Sequence, residues 1–93
     1  MNPAGLLNTQ IEALNDKIDN LNIDLTSVLK SLTDVTGNIK RLETSGASNE
    51  ILTRRRKQWT DLDLRKQNII KKLRMLEAEV GKKEKEKKSA ASS

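Results

Sequence analysis

Carboxylates are the residues of this chain whose type and spacing come nearest to catalytic chemistry. They form two groups, which are Asp16, Asp19 and Asp24, and Asp61 and Asp63. Paired carboxylates act as general acids and bases when a pocket holds them together and shifts their pKa values. At helical spacing, however, these five scatter around a polar face with no aromatic wall beside them. We therefore expect no acid–base site here.

Other catalytic and metal-binding chemistry lacks its usual residues. The chain contains no His and no Cys, so the common ligands of zinc and haem and the common proton carriers are missing. There is also no glycine-rich phosphate loop and no nucleophile motif. The composition predicts a protein that is not an enzyme, with no cofactor, no metal and no small-molecule substrate.

A basic cluster formed by Arg54, Arg55, Arg56 and Lys57 is the possible anion contact. Four consecutive residues on a helix point about 100° apart, so they make no flat stripe. A solvated helix start, an acidic protein partner and nucleic-acid phosphate are all compatible with it. Trp59 is the sole aromatic residue, whereas base-stacking sites use several, which favours a core or interface role. Nucleic-acid binding is expected to be weak and non-specific.

An uninterrupted apolar seam is the strongest pattern in the chain. Eleven apolar residues follow one another at alternating steps of four and three, although only 34% of the chain is hydrophobic. They are Leu7, Ile11, Leu14, Ile18, Leu21, Leu25, Val28, Leu32, Val35, Ile39 and Leu42. This spacing keeps one face toward a partner helix in a left-handed coiled coil. It predicts association, while the mixture of Ile, Leu and Val at the core positions leaves the oligomeric state open.

The seam predicts an N-terminal coiled-coil helix over residues 1–43. Asn2 is a suitable N-cap, and the proline after it suits the first helical position. The apolar spacing stops at residues 44–49, which are predicted to form a turn or hinge. There Gly46 can adopt a positive φ to end the first helix, and Ser48 can cap the second.

A second, basic amphipathic helix is predicted over residues 50–80. The interface residues predicted on it are Trp59, Leu62, Ile69, Leu73 and Leu76. Leu52 and Val80 continue this line at its ends. Its heptad frame is shifted by one residue from the first seam, which favours two helices over one continuous helix. The Lys/Glu/Ser-rich tail at 81–93 is expected to be disordered.

The two halves of the chain differ in charge. Residues 1–50 carry four Lys/Arg against seven Asp/Glu, whereas residues 51–93 carry fourteen against six, within a net charge of +5. Opposite charges slightly favour an antiparallel coiled-coil hairpin over a coiled-coil oligomer bent at Gly46. The expected fold class is all-α, with two long helices in either arrangement.

The heptads of residues 7–42 resemble fibrous coiled-coil segments of virus and phage structural proteins, and small helical subunits of eukaryotic scaffolding complexes. The resemblance carries over no functional residues. We expect a structural or assembly subunit that mediates protein–protein association with itself or with other coiled-coil proteins. The alternative is a nucleic-acid-associated protein, such as a virion component, with an oligomerising N-terminal half and a basic C-terminal half.

Hydropathy and the N-terminal residues predict where the chain resides. No uncharged run reaches the ~20 residues of a membrane span. The first residues also lack the basic and apolar regions of a signal peptide. We expect a protein of the cytoplasm, or of a macromolecular assembly such as a virion, without a membrane partner.

Overall fold

Two α-helices account for nearly all of the computed structural model, which describes residues 3–92, with side chains from 5 to 90. Helix α1 spans Pro3–Thr44 and helix α2 spans Asn49–Ser92. No strand occurs within the described residues. The predicted all-α class with two long helices is therefore confirmed. The predicted N-cap, Asn2, lies outside the described residues.

The helical state of α1 depends more on its seam than on intrinsic propensity. Many of its residues are Thr, Asn and Asp, which are mediocre helix formers. Four threonine hydroxyls donate to the carbonyl four residues earlier, at 2.8 to 3.1 Å, and these are Thr9, Thr33, Thr36 and Thr44. Such bonds satisfy the hydroxyl locally but do not favour the helix. Burial of the apolar face must therefore provide most of the stabilisation.

The C-terminus of α1 is closed by a glycine in the left-handed region. Gly46 has φ 74°, as the sequence predicts. The Ala47 amide donates to the Leu42 carbonyl at 3.0 Å, and the Gly46 amide donates to the Glu43 carbonyl at 3.3 Å. This is the Schellman pattern, which satisfies carbonyls that the helix end leaves open. The Arg41, Leu42 and Glu43 carbonyls at the end of α1 each accept a hydrogen bond from the turn.

Helix α2 starts at a capped N-terminus. The Ser48 hydroxyl accepts a hydrogen bond from the Ile51 amide at 3.4 Å. Glu50 lies in the first turn, where a negative charge interacts favourably with the helix dipole. Its carboxylate also pairs with Arg54 at 2.9 Å. The predicted cap at Ser48 is thus present.

The C-terminal end of α2 differs from the sequence prediction. The helix does not end at Val80 but continues to Ser92, and the expected disordered tail is not seen over residues 81–92. Gly81 costs only about 1 kcal/mol relative to Ala in a helix. The Lys and Glu residues that follow are strong helix formers, and pairs four apart support one another. Propensity therefore outweighs the lack of apolar residues.

The chain divides into two compact units. The terminal unit combines residues 1–23 with 71–93, and the turn unit comprises residues 24–70. Each unit contains a segment of α1 and a segment of α2. The buried apolar residues of the terminal unit are Ile11, Leu14 and Leu73, and those of the turn unit are Val28, Leu32, Val35, Leu52 and Ile69.

Candidate interaction surfaces

The α1 seam faces inward but is not fully enclosed. Its five buried members are Ile11, Leu14, Val28, Leu32 and Val35. The other six are half-buried, namely Leu7, Ile18, Leu21, Leu25, Ile39 and Leu42. No described side chain is less than 2% exposed, and Val28, at 3%, comes nearest. The seam is therefore partly covered and retains accessible apolar edges.

The predicted interface residues of α2 are covered to different extents. Ile69 and Leu73 are buried, and Leu62 and Leu76 are half-buried. Trp59 remains 38% exposed, so it is not a core residue of this chain. Within the turn unit, part of its ring is therefore free to contact another molecule.

Trp59 lies in a cleft of about 440 Å³ in the turn unit, which we call the Trp59 cleft. Its indole N–H donates to the Thr36 hydroxyl at 3.1 Å. At the same cleft, the Arg56 guanidinium pairs with the Glu43 carboxylate at 3.3 Å. Both contacts join α1 to α2. The Trp59 indole N–H and the Arg56 and Glu43 side chains thus have partners within the chain, and half-buried Ile39 and exposed Lys40 also line the cleft.

The arginines of the basic cluster have partners within the chain. Arg54 pairs with Glu50 at 2.9 Å, and Arg56 pairs with Glu43. Arg55 donates to the Gln58 side-chain oxygen at 3.1 Å. These contacts are all solvent-exposed, so each is weak and exchangeable. The structure does not gather the cluster into one site, and anion contact by Arg54, Arg55, Arg56 and Lys57 stays a prediction.

Lys66 occupies a position on the apolar line of α2 and forms an ion pair with a neighbouring carboxylate. Its ammonium lies 3.0 Å from the carboxylate of Asp63, and both side chains are less than one-third exposed. The Gln67 amide donates to the same carboxylate at 2.9 Å. The Asp-to-Lys spacing of three residues was the signal that could have predicted this pair. Asp63 thus has a structural role, and Asp61 is exposed.

A second cleft of about 440 Å³ lies in the terminal unit and was not predicted from the sequence. Half-buried Leu21 and Leu76 contribute to its lining, together with Met75, which is 72% exposed. Its charged residues are Lys17, Lys72 and Glu79. We call this feature the Met75 groove. Met75 lies next to the apolar line rather than on it, so heptad analysis overlooks it.

The first group of carboxylates considered above lies on the solvent-exposed surface of α1. Asp16, Asp19 and Asp24 are all exposed. Among the residues that the structure describes, no cluster of His, Cys, Asp or Glu has the makings of a metal site. Across the same part of the chain, neither helix has a stretch apolar and long enough to traverse a bilayer.

Comparison with known proteins finds no matching family model, no matching curated protein and no matching solved structure. The function must therefore be inferred from the residues of this chain and from the two apolar clefts that they form.

Proposed function

We propose that the chain is a non-enzymatic assembly subunit that folds as a coiled-coil hairpin and associates with other helical chains within a larger complex. The observation that carries this proposal is the incomplete coverage of the seam. All eleven seam residues turn inward, yet six of them remain half-buried after α1 and α2 have come together. A further helix would cover these apolar edges.

The energetics of a small core support this proposal. A single small hydrophobic core, such as one helix–helix interface, seldom supplies more than ~3–5 kcal/mol. Burial of further apolar surface stabilises by roughly 25 cal/mol per Å². A partner that binds only the folded chain also stabilises it by mass action. Association would thus supply stability that two helices alone lack.

The accessible clefts suggest how a partner would be held. Trp and Met are residues that often anchor interfaces, Trp through a large rigid ring and Met through an adaptable side chain. Trp59 and Met75 each occupy an open cleft. Many flanking positions of the α1 seam are uncharged, such as Asn15, Asn22 and Thr36. Packing rather than salt bridges would therefore select the partner.

No specific observation favours nucleic-acid binding as a second function. The three arginines of the basic cluster have partners within the chain. The indole N–H of Trp59 is bonded to Thr36. The exposed indole is also a single aromatic platform, whereas single-strand binding uses several.

The experiment compares Leu21→Asp with Ile23→Asp in the native complex. Leu21 is a half-buried seam residue, whereas Ile23 is 67% exposed in the same unit. Tagged wild type and variants are expressed in cells of the source organism, and the mass of the native complex is measured. Both variants introduce one charge, but only the first places it in the apolar seam, at a cost of about 2 kcal/mol or more.

We expect wild type and Ile23→Asp to be found in complexes much larger than the 10.5 kDa chain. Leu21→Asp should leave the complex. Wild type at the mass of a single chain, or Leu21→Asp retained in the complex, would contradict the proposed function.

A further inference from the structure

We infer that a second copy of this chain docks on the Met75 groove through a two-fold interface. The inference rests on the proposed function and specifies one partner and one surface for it. Three features of the terminal unit support it: an exposed apolar centre, charges of both signs around it, and the order of those charges along α2.

The apolar centre of the groove is large and uncovered. Met75 is 72% exposed, the highest value among the large apolar side chains that the structure describes, followed by Ile23 at 67%. Half-buried Leu21 and Leu76 line the cleft with it, one from each helix. An unbranched Met side chain adapts readily to the shape of an opposing surface. This part of the terminal unit is suited to apolar contact.

Charges flank Met75 in a self-complementary order. Lys72 lies three residues before Met75 and Glu79 lies four residues after it, so all three share one stripe of α2. A separation of seven residues places the two charges about 10 Å apart along the helix. Within the described part of the chain, neither Lys72 nor Glu79 takes part in an ion pair. Both are therefore available to a partner.

An antiparallel second copy satisfies both charges at once. When two copies of this α2 stripe cross at Met75, Lys72 of one copy faces Glu79 of the other. The two-fold axis then generates the reciprocal pair. The two Met75 side chains meet at the centre, where apolar burial supplies most of the affinity. The exposed ion pairs contribute less energy but set the register.

The charge order distinguishes this groove from the Trp59 cleft. In the cleft, Arg56 and Glu43 pair with each other within the chain. In the groove, Lys72 and Glu79 lie on opposite sides of Met75, and neither forms an ion pair with another residue that the structure describes. The third charged residue, Lys17, lies on α1 and gives the rim a net charge of +1. A partner with a single sign of charge would complement only part of this rim. A second copy complements both charges of α2, because its own Lys and Glu follow one another in the same order.

The first test measures the mass of the purified full chain by sedimentation equilibrium over a concentration series. Met75→Asp is compared with Ile23→Asp, because Ile23 is 67% exposed in the same unit but does not line the groove. We expect wild type and Ile23→Asp to form two-chain particles with similar dissociation constants. Met75→Asp should raise the dissociation constant at least about tenfold, with helicity by circular dichroism unchanged.

The second test reverses the charges. Lys72→Glu and Glu79→Lys should each weaken self-association, because each opposes like charges across the two-fold axis. The double variant should restore it, since both pairs reappear with their signs exchanged. A protein partner other than a second copy would not be recovered in this way.

Several results would overturn the inference. They are a wild-type chain that is monomeric at every concentration, a Met75→Asp variant that associates like wild type, and a double variant no better than the single ones. A monomeric purified chain that still enters a large native complex would refute the second copy alone. The proposed function fails separately, if the native complex is absent or tolerates Leu21→Asp.

Discussion

Replacement of Gly46 by Ala tests the reversal of the chain at the point where the backbone demands it. Gly46 has φ 74°, in the left-handed region that side chains disfavour. A Cβ atom built there has no neighbour within 4 Å, so steric contact makes no contribution. The free-energy change therefore reports the backbone conformation itself. Gly46→Ala is expected to destabilise the folded chain.

The size of this destabilisation depends on the effect of the substitution on the folded chain and on the unfolded chain. An L-residue in the left-handed helical region costs roughly 1–2 kcal/mol. Loss of glycine freedom in the unfolded chain offsets roughly 0.4–1 kcal/mol of this. The net loss of unfolding free energy is about 1 kcal/mol. A matched control is Gly37→Ala in α1, where the added Cβ meets only the Arg41 guanidinium at 3.9 Å. The Gly37→Ala variant should raise the free energy of unfolding by about 1 kcal/mol, because Ala is a better helix former than Gly.

The assay is urea unfolding at one fixed protein concentration, followed by Trp59 fluorescence and by circular dichroism. The two alanine variants should shift the midpoint in opposite directions. If Gly46→Ala and Gly37→Ala stabilised the chain equally, residue 46 would lie within a helix. The two helices would then form one rod, and the turn would be refuted.

Two further predictions concern Trp59 and the basic cluster. Trp59→Phe and Thr36→Val should each lower the free energy of unfolding by about 1 kcal/mol, because the two side chains share a hydrogen bond of 3.1 Å. A double-mutant cycle measured by urea unfolding should give a coupling energy of similar size. Purely additive effects would argue against that hydrogen bond. If the chain binds nucleic acid weakly and non-specifically, as the sequence predicts, replacement of Arg54, Arg55, Arg56 and Lys57 by Gln should flatten the salt dependence of that binding with little loss of helicity. Tight, sequence-selective binding by the wild type at physiological salt would instead favour the nucleic-acid function.

The parts of the fold that depend on local sequence could be predicted well. The heptad spacing indicates which face of α1 turns inward, and all eleven of its apolar residues are buried or half-buried. The turn at Gly46 and the cap at Ser48 also follow from local chemistry, since few residues tolerate a positive φ or supply a capping hydroxyl. Both are present.

The end of α2 and the two clefts could not be predicted in the same way. The absence of apolar residues after Val80 suggested disorder, but the helix propensity of Lys and Glu carries α2 to Ser92. The contact of Trp59 with Thr36 and the exposure of Met75 both depend on how one helix lies on the other. Heptad positions do not contain that information.

The central claim is that the chain folds back and pairs its own helices. The distance between residues 10 and 81 within one molecule tests this claim most directly. The chain contains no Cys, so Gln10→Cys and Gly81→Cys provide the only two sites for spin labels. Labelled protein is diluted with unlabelled chain, so that only intramolecular distances are recorded. Both residues belong to the terminal unit. The hairpin predicts a short separation, set by the ~10 Å between packed helix axes and the reach of the labels. A separation near ~100 Å, expected for one continuous helix between the two sites, would contradict the account.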